Sequence, residues 1–269
     1  MDIVVENLTQ VWGEGVDAVT ALDSVSHHFR SGRLTCLLGP SGCGKSTLVQ
    51  IIGGIEPATA GRIRIVDPSR PTAPPAKPGE RSVMMWQNLN LFPWRNVIDN
   101  VAFGLEMDGV PRAARYARAK ELLATVGLKN FEYKACHQLS GGMRQRVALA
   151  RALVMNRPIL LMDEPFAALD AQTKIVMQEE LTRVFEQMRK TIVFVTHAID
   201  EAILLGDEVV VMTARPGKIK EVIPIELPRP RSQELVNSPE FGVLYDRILH
   251  LIREEVLNAM RQQEEAVAQ

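Results

Sequence analysis

Hydrophobic positions along this chain form two patterns that alternate from the amino end to the carboxyl end. Short apolar or alternating runs predict strands at residues 3–5, 21–29, 33–38, 61–66, 82–86, 159–162, 191–195 and 208–212. Apolar residues at helical spacing predict helices at residues 45–52, 97–107, 112–126, 172–189 and 241–260. Because the later strands are almost continuously apolar and alternate with helices, the pattern predicts a mostly parallel sheet covered on both faces.

The strand pattern is interrupted between residues 87 and 155, where the apolar spacing becomes helical. We therefore expect one domain whose core combines residues 1–86 and 156–225, with a helical subdomain inserted at 87–155 and a C-terminal helical extension at 226–269. A turn at 13–15 separates the first two strands, so an antiparallel β region is expected at the amino end. The length of 269 residues fits this organisation, because single cores stop growing at roughly 250 to 300 residues.

Composition narrows the class of protein only slightly. The chain has 31 basic and 32 acidic side chains, and a net charge of -1 gives no electrostatic reason to expect nucleic acid as a partner. The three cysteines, Cys36, Cys43 and Cys136, are odd in number, which favours a reducing compartment. The chain opens without an apolar leader, and no apolar run approaches the roughly 18 residues that span a bilayer, so a membrane role is expected to come through a partner.

A glycine-rich loop joins the strand at 33–38 to the helix at 45–52 and matches the phosphate-binding pattern G-x-x-x-x-G-K-[ST]. The residues expected to bind ATP here are Gly39, Pro40, Ser41, Gly42, Cys43, Gly44, Lys45, Ser46 and Thr47. Glycines let backbone amides converge on phosphate oxygens, while Lys45 reaches the outer phosphates and the Ser46 hydroxyl ligates Mg²⁺. A small-molecule kinase, a GTPase and a transport ATPase all need this loop, so the loop does not choose among them.

Two acids follow the buried strand at 159–162. Asp163 is suited to hold Mg²⁺ directly or through water, while Glu164 can orient or deprotonate the water that attacks the γ-phosphate. Open parallel sheets place their ligands at this end of their strands, although Asp-Glu-Pro could equally be a solvated strand end.

A second anion-binding helix start is predicted where Ser140, Gly141 and Gly142 precede an apolar helix. Ser140 serves as the cap, and the two glycines leave the first amides accessible. A GTPase or a small kinase does not need a second site of this kind.

With these residues the chain resembles the ABC ATPase family, whose members carry the Leu-Ser-Gly-Gly signature found here at 139–142. The resemblance implies an α/β fold of the P-loop NTPase (RecA-like) type, and two copies packed head to tail with each ATP between one copy's phosphate loop and the other's signature. Met143 departs from the family pattern, in which many members have glutamine.

Four further residues match motifs of that family. Gln87 corresponds to its Q-loop and would bind Mg²⁺ or water, residues 167–170 match its D-loop with Asp170, and His197 matches its switch histidine. Trp12 resembles the aromatic residue that stacks on adenine. From the residues alone, His197 follows a buried strand at the same sheet edge as Asp163, so its ring can donate to the γ-phosphate or hold the water.

Segments 91–97, 99–105, 163–170 and 214–219 are similar to ATPases of the nitrate, alkanesulfonate, taurine and bicarbonate importers. The resemblance implies an ATPase of the translocase type, peripheral to the cytoplasmic face of the inner membrane, that powers import of a small solute such as one of these anions. The implied partners are a second copy of the chain, two permease subunits docking between Gln87 and Asn100, and indirectly an extracytoplasmic solute-binding protein.

Two rivals remain at this point. One is a soluble ABC ATPase in nucleic-acid repair or translation, a class that usually shows paired cassettes or long coiled coils. The other is a P-loop kinase, which would transfer phosphate to an organic acceptor.

Overall fold

The computed structural model describes residues 1–70, 72–167 and 169–267, and the strands in this part form two sheets. The strands are β1 (Asp2–Trp12), β2 (Val19–Phe29), β3 (Leu34–Leu38), β4 (Ala60–Val66), β5 (Ser82–Met85), β6 (Ile159–Asp163), β7 (Thr191–Val195), β8 (Glu208–Met212) and β9 (Ile219–Pro224). The helices are α1 (Lys45–Ile52), α2 (Val97–Met107), α3 (Arg112–Thr125), α4 (Gly141–Val154), α5 (Ala171–Met188), α6 (Ile199–Leu205) and α7 (Pro239–Val267).

The larger sheet has the strand order β5-β6-β7-β3-β8-β9. All its neighbouring strands are parallel except β8 and β9, which pair antiparallel, so the predicted mostly parallel sheet is confirmed. Strands β3, β6 and β7 are buried along their whole length. Strand β9 and helix α6 are absent from the prediction. Strand β9 lies at the sheet edge and carries Lys220 and Glu221, while α6 is too short to show a helical period.

The smaller sheet has the order β2-β1-β4 and is antiparallel, which confirms the expected antiparallel β region near the amino end. The predicted strand at 3–5 is too short, because β1 continues to Trp12. Polar Glu6 and Asn7 break the apolar alternation, and the structure accommodates them with a register shift and a left-handed φ of 48° at Asn7. The longer strand carries Trp12 to the end of the ladder, opposite Val19.

Helices α2, α3 and α4 pack together as the predicted helical insertion, while the limits at residues 87 and 155 stay a prediction. A fully buried amide, Asn100, fixes the segment that leads into α2. Its Nδ2 donates to the carbonyls of Phe92 (3.1 Å) and Asn96 (3.0 Å), and its Oδ1 accepts from the Phe92 amide (2.8 Å). The segment 91–96 is therefore held rigidly although Trp94 within it is 77 % exposed.

The C-terminal helix α7 packs on the large sheet through buried Phe241 and Ile248. Before it, the guanidinium of Arg231 donates to the carbonyls of Ile203 (3.0 Å) and Ile225 (3.0 Å), and burial lowers the pKa of Arg231 to about 10. The helix runs past the predicted 241–260, since its last turns are rich in strong helix formers that show no apolar period. None of the helices in the described residues has the length and apolarity needed to cross a bilayer.

Candidate active site

The glycine-rich loop takes its shape from two residues in left-handed backbone conformations. Gly42 has φ 76°, and Gly44, the residue that caps α1, has φ 95°. A Cβ on Gly44 would lie 2.6 Å from the Leu22 side chain, so only glycine fits there. The first amides of α1 have no acceptor within the helix, which leaves them available to an anion at this end of the helix.

Lys45 lies at the centre of this loop, and its side chain is almost fully buried, with 4 % of the residue exposed. Its Nζ donates to the carbonyls of Gly39 (2.9 Å) and Pro40 (2.9 Å), which offset the cost of burying an ammonium group. The third N–H faces Cys43 Sγ at 3.7 Å, and because a thiol sulfur is a weak acceptor, this N–H can donate instead to an anion bound in the loop.

Asp163 ends β6 beside the start of α1 and is 5 % exposed. Its Oδ1 accepts a hydrogen bond from the Ser46 hydroxyl at 2.9 Å. Burial raises the pKa of Asp163, and the neighbouring charge of Glu164 adds to the effect, while Ser46 opposes it. The native state therefore holds the ionised carboxylate at an energetic cost that a bound cation would relieve.

The pair formed by Ser46 and Asp163 fits a magnesium ion. Mg²⁺ prefers oxygen ligands, and it takes one or two from the protein while water and substrate phosphates supply the rest. The described residues contain no cluster of three His, Cys, Asp or Glu side chains that could hold a metal ion. The exposed amide of Gln87 faces the same region, since its Nε2 lies 3.4 Å from Glu164 Oε2.

Glu164 has a left-handed φ of 47°, which is uncommon for a residue with a side chain. Its amide donates to the Val195 carbonyl at 3.1 Å, so the turn after β6 is tied to the end of β7. His197 follows the end of β7 by two residues, and its Nε2 lies 2.6 Å from Glu164 Oε1. The backbone conformation and the pairing of the strands together place the carboxylate between His197 and Gln87.

Except for Asp163, these groups line a cleft of about 470 Å³. Its lining residues are Trp12, Val19, Ala21, Ser41, Gly42, Gly44, Lys45, Ser46, Thr47, Gln87, Glu164, His197 and Arg215. The structure thus brings together, on one chain, most of the residues that the sequence singles out for ATP and its hydrolysis. Buried Gly39, Pro40 and Cys43 support the loop from behind, and burial raises the pKa of the Cys43 thiol.

Three lining residues are absent from the sequence-based set. Val19 and Ala21 enter because β2 pairs with the end of β1, where Trp12 lies opposite Val19, a register that the local pattern does not reveal. Arg215 belongs to the segment 214–219, whose sequence indicates a resemblance to importer ATPases but no role for the arginine. Its guanidinium Nε lies 3.4 Å from the Gly42 carbonyl.

The signature lies outside this cleft. Ser140 caps α4, with its hydroxyl accepting from the Met143 amide at 3.3 Å, and both Ser140 and Gly141 are exposed. A Cβ on Gly141 would meet no atom of the described residues within 4 Å, whereas one on Gly142 would lie 2.5 Å from the Thr173 side chain.

Asp170 also has a local structural role, because it caps α5. Its carboxylate accepts from the Thr173 amide (3.0 Å) and hydroxyl (2.7 Å), and these bonds lower the pKa of Asp170. Thr173 in turn contacts the signature at Gly142, so the D-loop and the signature are neighbours within one chain. Ala168 of the predicted D-loop lies outside the described residues. The functional roles of the signature and of Asp170 stay predictions.

Comparisons with known proteins agree on one family. The family model described as ABC transporter matches residues 22–167. An uncharacterized ABC transporter ATP-binding protein of Methanocaldococcus jannaschii is 44 % identical over 257 residues, covering 96 % of this chain and 93 % of that protein. A taurine import ATP-binding protein, TauB, of Burkholderia pseudomallei is 45 % identical over 214 residues, or 80 % of each chain. A nitrate import ATP-binding protein, NrtD, of Synechocystis sp. is 39 % identical over 259 residues, covering 94 % of this chain and 96 % of that protein.

Solved structures are similar as well. A dimeric structure of a bacterial ABC transporter cassette is 31 % identical with a TM-score of 0.71, covering 84 % of this chain and 100 % of that one. A dimeric post-hydrolysis state of an ATP-binding cassette bound to ADP and Pi is 30 % identical with a TM-score of 0.70 and the same coverage.

The cost of keeping the buried Asp163 carboxylate ionised leads to a prediction about stability. Asp163→Asn keeps an oxygen for Ser46 but removes the buried charge, so the ligand-free variant should unfold at a higher temperature than the parent at pH 7. The pKa of Asp163 is higher in the folded chain than in the unfolded chain. The loss of stability caused by the buried charge is therefore complete at pH values above the folded pKa, and it disappears at pH values below the ordinary carboxyl pKa. The advantage of Asn should therefore shrink as the pH falls through the raised pKa. Thermal unfolding measured from pH 7 to acid checks this.

The matched control is Asp246→Asn, which neutralises an exposed acid of α7 and should change the free energy of unfolding by less than about 0.5 kcal/mol. An Asp163→Asn variant less stable than the parent at pH 7 would show that the burial penalty has been misjudged.

Proposed function

Since the chain belongs to the ABC transporter family and hydrolyses ATP as a subunit of an importer, we propose that two copies bind ATP head to tail. Each ATP would lie between the phosphate loop around Lys45 of one copy and the signature at Ser140 of the other. The observation that carries this proposal is the position of the signature, which is exposed and does not line the cleft of its own chain. The similar solved cassettes are themselves dimeric.

The start of α4 is built to receive an anion from another molecule. Its first amides have no acceptors within the helix, and the helix dipole favours negative charge there. Apart from its chain neighbours and its own helix, no described residue lies within 4 Å of a Cβ built on Gly141. A γ-phosphate presented by a second copy would supply the acceptor.

Within one copy, the nucleotide is held by the loop and by the end of β1. The amides at the start of α1 bind the phosphate oxygens, and Lys45 exchanges its weak contact with Cys43 Sγ (3.7 Å) for a hydrogen bond to them. The Trp12 ring, at the edge of the cleft, stacks on the adenine. These contacts explain why the glycines and the aromatic residue belong to one site although they come from separate strands.

Ser46, Asp163 and Gln87 would hold Mg²⁺ beside the phosphates. A magnesium ion there neutralises charge that develops on the phosphate oxygens. The carboxylate of Asp163, whose ionisation is opposed by burial, would then gain a compensating positive charge.

Glu164 acts on the attacking water. Its carboxylate accepts the water proton, and His197 and Gln87, which both contact the carboxylate, orient the water and the γ-phosphate. When nucleotide enters, His197 can turn its Nε2 from the carboxylate to a phosphate oxygen. The carboxylate is then free to act as the base.

Glu164→Gln is expected to lower the rate of ATP hydrolysis by about 10² to 10⁴-fold, because an amide cannot accept the proton. ATP binding should persist, since the substituted amide keeps the size and polarity of the side chain. Release of inorganic phosphate and equilibrium binding of ATP, measured on the same preparation, separate the two effects. Glu240→Gln, which alters an exposed acid of α7, is the control and should hydrolyse ATP like the parent. Hydrolysis by Glu164→Gln at the parental rate would exclude Glu164 as the base.

We further propose that the chain docks on two permease subunits through the segment 91–96, and so lies at the cytoplasmic face of a membrane. Asn100 fixes this segment from below, and Arg95 lies over the Phe103 ring (5.0 Å) while pairing with Glu106 (2.8 Å). Trp94 projects from this rigid base into solvent. Exposed tryptophans on ordered segments are frequent anchors of protein interfaces.

The proposed cargo is a small anion such as taurine, another sulfonate, nitrate or bicarbonate. The named relatives that support this class are the taurine and nitrate import ATP-binding proteins. Selection of the anion belongs to the permease and to an extracytoplasmic solute-binding protein, because the cleft of this chain is lined for ATP.

Trp94→Ala is expected to reduce uptake of labelled taurine or nitrate about tenfold or more in cells that depend on this chain, because it removes an interface anchor. Met107→Ala is the control, since Met107 is also exposed but lies at the other end of α2. ATP binding by purified Trp94→Ala should be unchanged. Normal uptake with Trp94→Ala would contradict docking at this segment. If cells lacking the chain took up taurine, other sulfonates, nitrate and bicarbonate as well as cells that contain it, the proposed cargo would be contradicted.

A further inference from the structure

Arg215 lines the nucleotide cleft with a charge that no acid among the described residues neutralises. Its Nε lies 3.4 Å from the Gly42 carbonyl, and its Nη2 would lie 3.1 Å from a Cβ on Gly42. Within residues 1–70, 72–167 and 169–267, Arg215 forms no ion pair, although Lys218 on the same loop pairs with Asp23 at 2.8 Å. An unpaired guanidinium beside a phosphate-binding loop is placed to bind an anion.

The loop that carries Arg215, residues 213–218, is packed directly on the phosphate loop. The Gly217 amide donates to the Ala21 carbonyl at 2.9 Å, and the Asp23 amide donates back to the Gly217 carbonyl at 3.1 Å. A Cβ on Gly217 would lie only 2.0 Å from the Cys43 carbonyl oxygen. The backbone on the carboxyl side of Arg215 is therefore fixed relative to the cleft.

The same loop is held from its other side by the C-terminal helix. Glu255 of α7 is 6 % exposed, and its Oε2 accepts a hydrogen bond from the Ala214 amide at 2.7 Å. Its Oε1 pairs with Lys220 of β9 at 2.8 Å. Ala214 immediately precedes Arg215, so Glu255 sets the direction in which the arginine leaves the backbone.

We propose that Arg215 binds the phosphate chain of the nucleotide and that Glu255 is the residue that positions it. The C-terminal helix is then part of the nucleotide site, and a change in its packing alters affinity for ATP. This inference deepens the proposed function, because it takes the cleft to be the ATP site. It assigns to α7 a role that the helical pattern of residues 241–260 does not indicate.

The first test is equilibrium binding of ATP, ADP and adenosine to the full-length chain. Arg215→Ala should weaken ATP and ADP by about tenfold to a hundredfold, the range for a charge-assisted hydrogen bond, and should leave adenosine unchanged. Lys218→Ala removes a cation from the same loop that is already paired, and it should change ATP affinity by less than about threefold. Arg215 is exposed, so its removal leaves the core intact.

The second test concerns the positioning role. Glu255→Ala should weaken ATP binding several-fold. Glu255→Gln should keep most of the parental affinity, because its amide oxygen still accepts from the Ala214 amide. Glu254→Ala, which removes the neighbouring partner of Lys220, should bind ATP like the parent. In a double-mutant cycle, Glu255→Ala should add little to Arg215→Ala. If Glu255 had only a structural role, Glu255→Ala would weaken ATP binding equally in the parent and in the Arg215→Ala background.

Each outcome bears on a different claim. Parental affinity in Arg215→Ala would overturn the inference while leaving the ATPase assignment intact. A loss in Glu255→Ala that persists in full in the Arg215→Ala background would overturn the positioning role. Failure of the parent itself to bind ATP would contradict the proposed function from which the inference starts.

Discussion

The parallel pairing of β6, β7 and β3 is the constraint on which the site depends. Buried strands must satisfy their backbone groups through their neighbours, and these three strands are buried from end to end. Parallel pairing then brings their carboxyl ends to the same edge of the sheet. The phosphate loop leaves β3, the acids Asp163 and Glu164 leave β6, and His197 follows β7. Functional groups from three parts of the chain that are far apart in sequence therefore meet at this sheet edge, without a separate binding domain.

The site contains features that are costly for folding. Burial and a neighbouring charge raise the pKa of Asp163, the Lys45 ammonium is buried at a cost that two carbonyls only offset, and Glu164 adopts a left-handed backbone conformation. In the proposed function, the same features serve to bind ATP together with a cation. Such conflicts between local stability and function are expected at active sites.

The parts that could be predicted from sequence are those specified locally. Glycine at 39, 42 and 44 together with Lys45 marks the phosphate loop, and the bounds of α1, α2, β7 and β8 follow from local apolar patterns. Strand β9 and the full length of β1 could not be predicted, because both depend on pairing with a neighbouring strand that their own sequences do not indicate. Arg215 was missed for the same reason, since it reaches the cleft through contacts of its loop with Ala21, Cys43 and Glu255.

The central claim is that the site becomes complete only between two copies. Lys45→Ala and Ser140→Arg should each abolish hydrolysis alone, the first by damaging the phosphate loop and the second by blocking the signature. In a mixed dimer both lesions fall in one site, and the other site combines an intact loop with an intact signature. An equimolar mixture should therefore regain about a quarter of the parental rate of phosphate release, if the sites work independently in randomly paired dimers. A mixture as inactive as either variant alone would contradict the shared site.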